Sequence, residues 1–219
     1  MWQLIVDSMP LLLKGAWMTL HSTFFAACIG LSCGACLGVL TCNRLALKPL
    51  KTVLEFVAFV LRAVPFYVQL VIAYFVLPDL FKVDIDAYSA SVLALGLCSS
   101  GFVAAIVRSG INWVSQDQWE SAATLGFSRM ATLRYIILPQ VFFNVLPALT
   151  NELDSLLKST AILSSIGLLE LTRVGMNIVS REMEPLTIYL AVAVLYVCMS
   201  GAINLVSKYL ERRCSYAVS

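Results

Sequence analysis

The sequence predicts an all-α membrane protein with about five transmembrane helices. Of the 219 residues, 60% are hydrophobic and only 13% are charged, a balance outside the range of ordinary soluble domains. The apolar residues form runs without Asp, Glu, Lys or Arg, for example over 15–42, 87–107 and 185–207. A helix needs roughly 20 apolar residues to cross a bilayer, and these runs satisfy that length. We therefore predict one transmembrane domain, residues 1–219, and no separate soluble domain.

The spans can be placed from the apolar runs. They lie at about residues 17–41, 56–77, 87–107, 136–169 and 186–209, and Pro139 and Pro147 are expected to interrupt the fourth. Residues 1–14 read as an amphipathic lead-in at the outer interface, with Trp2 and Trp17 as interfacial anchors. A mixed, amphipathic stretch over 113–135 separates the third span from the fourth. The fifth span is a plain apolar helix to which we assign no chemistry.

Lys and Arg between the spans predict the orientation. With the N-terminus outside, the inner segments hold Arg44, Lys48, Lys51, Arg108, Arg129, Arg134, Lys208, Arg212 and Arg213, and the outer segments hold Lys14, Lys82, Arg173 and Arg181. Cytoplasmic loops are enriched in Lys and Arg. We therefore predict that the N-terminus is outside and the C-terminus cytoplasmic. The stretch over 113–135 then lies in the cytoplasm.

Several polar groups lie at membrane depth, where a charge is costly unless it is paired or faces a wet cavity. Arg62 lies inside the second span and is expected either to pair with an acid such as Glu55 or to line a path and attract a substrate carboxylate. In the fourth span, Asn151, Asp154 and Lys158 lie at i, i+3 and i+7, on one helix face. Asp154 and Lys158 can form an ion pair. For these residues the pairing and the path-lining interpretations both stay open.

Cysteine and glycine patterns favour packing over chemistry. Cys33 and Cys36 form a C-x-x-C pair, but His21 is the single histidine of the chain. We therefore prefer small packing residues to redox or metal chemistry, and we predict no metal site. Glycines at every fourth position from Gly30 to Gly38 form a stripe that permits close helix packing. Packing within the subunit is favoured over a contact between subunits.

The stretch after the third span carries a motif. Glu120-Ser121-Ala122-Ala123, then Gly126, then Ile137-Leu138-Pro139 resembles the EAA loop of permease subunits of bacterial ABC importers. The resemblance implies a type I importer permease bundle and a coupling helix that docks on a cytoplasmic ATPase. The implied docking residues are Gln118, Glu120, Ala122, Ala123 and Gly126. Ala and Gly permit close backbone approach, and an acid at the helix start suits the helix dipole.

Further motifs narrow the resemblance to the polar amino acid group of these permeases, the histidine, glutamine and arginine type. The run from Gly15 to Leu20 resembles the G-x-x-x-T-L start of that group. Arg62, Pro65, Gln69 and Leu70 match its "RGTP…QL" signature, in which Ala63 and Val64 replace Gly and Thr. Arg108 matches the end of the third-span motif, where Ala105 replaces a Glu. Asn151 and Lys158 match "N-x-x-x-x-L-L-K-D-T-S-L", where Ser159 replaces the Asp.

This resemblance implies the transmembrane subunit of an ATP-driven importer of polar amino acids that works by alternating access, a multi-pass protein of the bacterial inner membrane. The implied substrate path includes Arg62, Gln69, Ala105, Asn151, Asp154, Lys158 and Ser159. Implied partners are ATPase subunits, a second permease copy or paralogue, an extracytoplasmic amino acid-binding protein and membrane lipid, but no nucleic acid. With Ala105 and Ser159 where acids are common, arginine is not the expected substrate.

The chain itself is expected not to be an enzyme. It lacks the G-x-x-x-x-G-K-[ST] phosphate loop, so we expect it to bind no cofactor and to leave ATP to its partner subunit. One alternative is a secondary transporter or channel that needs no ATPase, although five spans without an evident internal repeat argue against the inverted-repeat design. Another is an intramembrane enzyme, but His21 with scattered Ser and Cys does not supply a catalytic set.

Overall fold

The structure is a computed structural model that describes residues 2–43 and 48–215. Arg44, predicted on the inner side, lies outside the described residues, and so do the side chains of Lys48, Arg212 and Arg213. Every regular element within the described residues is helical. This confirms the predicted all-α class.

The described residues form ten α-helices, two π-helical segments and one 3₁₀ helix. The helices are α1 Trp2–Leu40, α2 Lys48–Ala63, α3 Phe66–Val71, α4 Leu77–Phe81, α5 Ala87–Trp113, α6 Gln116–Thr124, α7 Arg129–Thr132, α8 Leu138–Ser159, α9 Leu171–Glu182 and α10 Pro185–Ser215. Ile72–Val76 and Leu133–Ile137 are π-helical, and Thr160–Ile166 is a 3₁₀ helix. Within the described residues, four helical stretches are long and apolar enough to cross a membrane, or five if the broken pair Pro49–Ala63 and Phe66–Phe81 is one span.

The first span is longer than predicted. α1 begins at Trp2 and continues through Pro10 to Leu40, so residues 2–14 are part of the span helix and not a separate interfacial lead-in. Leu12 is fully buried and Ala16 nearly so, in an apolar cluster that includes Leu171. This burial offsets the backbone hydrogen bond that Pro10 cannot donate.

The second span is broken at Pro65. The backbone of Pro65 is extended, with φ −54° and ψ 136°, so α2 ends at Ala63 and α3 begins at Phe66. Proline disfavours helical backbone in the residue before it, here Val64. The predicted span over 56–77 is therefore two helical pieces.

The predicted interruption of the fourth span at Pro139 and Pro147 is wrong. The chain is helical from Arg129 to Ile166, and α8 passes through Pro147. A π-helical turn, Leu133–Ile137, ends two residues before Pro139, which lies in the first turn of α8, where proline is tolerated. The helix instead tightens at Thr160 and ends at Gly167, whose φ is +84°.

The chain folds into two compact units. The first unit comprises Met1–Cys28, Pro65–Gly96 and Leu153–Leu205, and the second comprises Ile29–Val64, Leu97–Glu152 and Val206–Ser219. Leu157, Leu171 and Ile188 are fully buried in the first unit. The core of the second unit includes Val103 and Ile137. The assignment of residues 1–219 to one domain stays a prediction.

The first unit contains a helix that the sequence did not predict, α9. Glu170 caps its start, because its carboxylate accepts from the backbone amides of Thr172 at 2.8 Å and Arg173 at 2.7 Å. The side chain of Glu170 is fully buried, and burial raises its pKa, partly opposed by the amides of Thr172 and Arg173. Tyr196 of α10 also donates to it, at 3.1 Å.

The glycine stripe of α1 packs inside the second unit. A Cβ atom at Gly34 would lie 2.5 Å from Cβ of Val103, and one at Gly38 would lie 2.8 Å from the carbonyl oxygen of Ala104. Both neighbours are on α5, so the absence of side chains brings α1 and α5 together. The predicted packing within the subunit is confirmed for Gly34 and Gly38. Cys33 and Cys36, by contrast, are exposed and are not core residues of the chain.

Candidate functional site

The predicted coupling stretch forms the short helices α6 and α7 of the second unit. Trp119 and Ala122 anchor α6, since they are 7% and 1% exposed. They lie three positions apart, on one helix face, and Trp119 joins the apolar core of the second unit. Gln118, Glu120 and Ala123 remain exposed. Of the predicted docking residues, Ala122 therefore holds the helix in place while the others present its outer surface.

Gly126 closes α6 with a left-handed turn. Its φ is +84°, its amide donates to the carbonyl of Ala123 at 3.0 Å, and the amide of Phe127 donates to that of Ala122 at 3.0 Å. These two bonds define a Schellman motif, which favours glycine at the left-handed position. A Cβ atom at Gly126 would meet no heavy atom within 4 Å. The glycine is thus needed for its backbone and not for lack of space.

A cleft opens beside α6. It has a volume of about 310 Å³, and its wall includes Glu120, Ala123, Phe127 and Arg129. The carboxylate of Glu120 accepts from Nε2 of Gln116 at 2.6 Å. Leu125 and Met130, close by in the chain, are 76% and 63% exposed. Exposed aromatic, Met and Arg side chains are enriched where proteins bind one another, so this surface suits a protein partner.

α8 carries the predicted row of polar residues. Nζ of Lys158 donates to Oδ2 of Asp154 at 2.6 Å, which is the predicted ion pair. The Lys158 side chain is 62% exposed and that of Asp154 only 16%. Asn151 is exposed on the same helix, and Ser159 donates to the carbonyl of Ser155 at 2.9 Å. The pair therefore offers an exposed ammonium held by a largely buried carboxylate.

The predicted pairing of Arg62 with Glu55 is wrong. Glu55 accepts from Nη1 of Arg108 and lies 3.8 Å from Nζ of Lys51. Nε of Arg62 donates to the carbonyl of Ala58 at 3.2 Å. Glu55 and Arg62 are seven positions apart on α2, about 10 Å along a helix axis, whereas Arg108 approaches from α5. Arg62, Glu55 and Arg108 line one cavity of about 430 Å³ in the second unit.

The two other predicted path residues are partly buried. Gln69 lies in α3 of the first unit, and its backbone amide donates to the carbonyl of Pro65 at 3.2 Å. Ala105 lies on α5 of the second unit, in the wall of the 430 Å³ cavity and of a second cavity of about 590 Å³. The wall of the second cavity includes the small residues Ser109, Gly110 and Ala148.

The sequence interpretation missed the polar row of α10. Tyr196 donates to Glu170, Ser200 to Oδ1 of Asp154, and Nδ2 of Asn204 to the carbonyl of Ser200 at 2.9 Å. These α10 residues recur every fourth position, a period that marks one helix face. That period was the signal that could have found them. The fifth span is therefore not a plain apolar helix.

No group of three or more His, Cys, Asp or Glu side chains in the described residues is placed to hold a metal ion. The site consists instead of an anchored surface helix and a set of polar groups within spans. Polar and ionisable groups within spans mark candidate substrate pathways.

A family model described as "Binding-protein-dependent transport system inner membrane component" matches residues 28–216. The chain belongs to this family. It is the transmembrane permease subunit of an ABC importer and a multi-pass protein of the inner membrane, as the sequence predicted. The family implies an ATPase and a binding protein as partners. It supports this function and not the alternative of an ATPase-independent transporter or channel.

Curated relatives align with the chain over nearly their full length. The arginine transport system permease protein ArtQ of Bacillus subtilis (strain 168) is 32% identical over 208 residues, 95% of this chain and 94% of that protein. The glutamine transport system permease protein GlnP of Escherichia coli (strain K12) is 32% identical over 223 residues, 97% and 96% of the two chains. The L-cystine transport system permease protein TcyB of Bacillus subtilis (strain 168) is 30% identical over 214 residues, 97% and 90% of the two chains.

Solved structures show the same fold. A chain of an amino acid ABC transporter crystallised with histidines superposes with a TM-score of 0.87 at 36% identity, covering 95% of this chain and 96% of that one. A chain of the inward-facing MetNI methionine ABC transporter superposes with a TM-score of 0.84 at 22% identity, covering 95% and 98%. The second likeness concerns the fold alone. Together they confirm the predicted type I importer permease architecture.

Proposed function

We propose that the permease transports polar amino acids. The observation that carries this proposal is the agreement among relatives that align over nearly the whole chain: those named for arginine, glutamine and L-cystine transport, and the amino acid transporter structure at 36% identity. The proposal extends this shared class to the chain and does not select one amino acid.

We propose that α6 transmits the ATPase cycle to the permease. Gln118, Glu120, Ala123 and Gly126 form the docking surface, and Ala122 sets its position from beneath. The anchoring of α6 by Trp119 supports this proposal. A helix packed into the core transmits a displacement to the rest of the unit, whereas a loosely attached loop would move by itself. ATP shifts the permease between its states only if the ATPase docks on them with different affinity. In this scheme the chain binds no cofactor, and ATP is hydrolysed by the partner.

Six of the predicted residues form the proposed wall of the substrate path: Gln69, Ala105, Asn151, Asp154, Lys158 and Ser159. The exposed ammonium of Lys158 suits a substrate carboxylate, and its ion pair with Asp154 orients it. Arg62 belongs to the same predicted set and lines the 430 Å³ cavity of the second unit. A second permease copy or a paralogue completes the path, and an extracytoplasmic amino acid-binding protein delivers the substrate.

The absence of an acid at Ala105 and Ser159 disfavours a substrate with a cationic side chain. Burying a second positive charge without a carboxylate partner is costly. We therefore propose that neutral polar amino acids such as glutamine are better substrates than arginine.

Competition for uptake tests the substrate. Cells that express the permease with its ATPase and binding protein take up labelled glutamine in the presence of excess unlabelled glutamine, arginine, cystine or leucine. We expect glutamine or cystine to compete best and Ala105→Glu to improve competition by arginine. Arginine as the best competitor of the wild type would contradict the neutral preference. Failure of every polar amino acid to compete would contradict the substrate class.

A further inference from the structure

The wall of the 430 Å³ cavity of the second unit has an excess of positive charge. Its wall contains Arg62, Arg108 and a single carboxylate, that of Glu55. Glu55 already pairs with Arg108 and lies 3.8 Å from Nζ of Lys51. None of the ion pairs within residues 2–43 and 48–215 includes Arg62. The wall thus holds two arginines and one carboxylate, and Lys51 adds a further positive charge near Glu55, so the cavity attracts an anion.

The fold holds Arg62 in the wall of this cavity. The stem of Arg62 lies on α5 where Gly101 leaves room: a Cβ atom at Gly101 would come within 2.9 Å of Cγ of Arg62. Nε is engaged by the carbonyl of Ala58. A guanidinium fixed at its stem and at Nε keeps its terminal N–H groups in a planar fork, the geometry that suits phosphate and carboxylate oxygens.

The cavity reaches the cytoplasmic edge of the span. Thr41, just beyond the end of α1, and Asn112 and Trp113, at the end of α5, are part of its wall. The following inner segment is basic in sequence, with Arg44, Lys48 and Lys51, and basic segments mark the cytoplasmic side. Trp113 is 75% exposed, as expected for a residue at the membrane interface.

The same helix, α2, also carries exposed apolar side chains outside the cavity wall. Val53, Phe56 and Phe59 are 60%, 64% and 56% exposed, at a spacing of three positions. Acyl chains pack on such an apolar surface, whereas a free inorganic anion does not. Basic pockets between helices on the cytoplasmic side are known to suit anionic lipid headgroups. The volume is also within the range of small-molecule sites.

We propose that this cavity binds an anionic phospholipid of the cytoplasmic leaflet. Its phosphate lies between Arg62 and Arg108, and its acyl chains lie along Val53, Phe56 and Phe59. The lipid supplies the negative charge that Glu55 alone does not, and it holds α2 on α5. The inference does not depend on which amino acid is transported.

Lipid retention by the assembled transporter tests the proposal, with phosphatidylglycerol as the probe and phosphatidylcholine as the neutral reference. The complex is delipidated in steps, and its bound lipids are counted by native mass spectrometry. We expect Arg62→Gln to weaken phosphatidylglycerol binding about fivefold, and the double variant with Arg108→Gln by roughly the square of that factor. Arg134→Gln, which removes an exposed cytoplasmic arginine outside the cavity, is the matched control and is expected to have no effect.

A second variant distinguishes a loss of lipid binding from a loss of folding, because it leaves both arginines in place. Ser109 is exposed in the wall of the cavity, so Ser109→Asp adds a negative charge there without removing a buried contact. It is expected to lower phosphatidylglycerol binding and leave phosphatidylcholine binding unchanged. Equal retention of both lipids by the wild type, or full displacement of phosphatidylglycerol by millimolar inorganic phosphate, would contradict the proposal. So would an Arg62→Gln variant that raises KM for the amino acid while lipid binding is unchanged, because the cavity would then serve the substrate.

Discussion

Gly126 offers a direct way to separate the shape of the coupling stretch from its chemistry. The left-handed turn at this residue sets the angle at which the chain leaves α6. Placing an L-residue with a Cβ in this conformation costs about 1–2 kcal/mol, more if the residue is β-branched and less for Asn or Asp. Since a Cβ atom at Gly126 meets nothing within 4 Å, the whole cost is backbone strain and not a clash.

Three substitutions then isolate the effects. Gly126→Val adds strain without charge, Gly126→Asn is tolerated by the backbone, and Gly126→Asp has the shape of Asn with a negative charge. A strain of about 1.4 kcal/mol changes the population of the native turn tenfold relative to an opened one. We therefore expect Val to reduce ATP-driven uptake up to tenfold and Asn to leave it near the wild-type rate. Asp should abolish uptake through charge on the docking surface.

The assay is uptake of labelled amino acid by cells, with membrane abundance of the permease measured on the same samples. Co-purification of the ATPase in mild detergent reports docking directly. The strain argument fails if Val and Asn have equal effects. The assignment of this surface to docking fails if Asp leaves both uptake and ATPase co-purification unchanged.

Other expectations concern packing, pH and transport. Gly34→Leu should lower the midpoint of thermal unfolding, at a cost of about 1–3 kcal/mol, because it overpacks the contact with α5. Gly201→Leu is the control and should have little effect, because a Cβ atom at Gly201 meets nothing within 4 Å. Equal effects of the two variants would contradict the packing of α1 on α5. Burial raises the pKa of Glu170 above its ordinary 4.5, so the native state favours the neutral carboxyl and stability is lost as pH rises through that raised value. Glu170→Gln should flatten the pH dependence of the unfolding midpoint. An unchanged slope in this variant would refute the expectation. Asp154→Asn keeps the hydrogen bond with Ser200 but not the charge, so uptake should fall while abundance is kept; full uptake would remove Asp154 from the path.

Local patterns of the sequence predicted much of the fold. The apolar runs predicted the spans because a helix in lipid must satisfy its own backbone, so length and hydrophobicity decide. The pair of Asp154 with Lys158 was predictable because both lie on one helix at i, i+4. The glycine stripe was predictable for the same reason, since its period is that of a helix face.

Long-range contacts decided the rest. The partner of Glu55 is Arg108, 53 positions away, and no local rule selects it over Arg62. α1 extends to Trp2 because Leu12 and Ala16 are buried near residues 171 and 188, far along the chain. Pro147 does not end α8, because the packing of a long span outweighs one missing hydrogen bond. α9 escaped prediction because it is short and mixed, and its buried cap, Glu170, looks in sequence like an ordinary loop acid.

The central claim is that this permease imports amino acids by coupling to ATP through α6. Uptake of labelled glutamine into proteoliposomes containing the complete transporter and binding protein tests it, with ATP enclosed in one set and an imposed ion gradient without ATP in another. We predict uptake only with ATP, and its loss when Gly126→Asp replaces the wild type. Uptake driven by the ion gradient alone, or uptake by the Gly126→Asp variant at the wild-type rate, would contradict the claim.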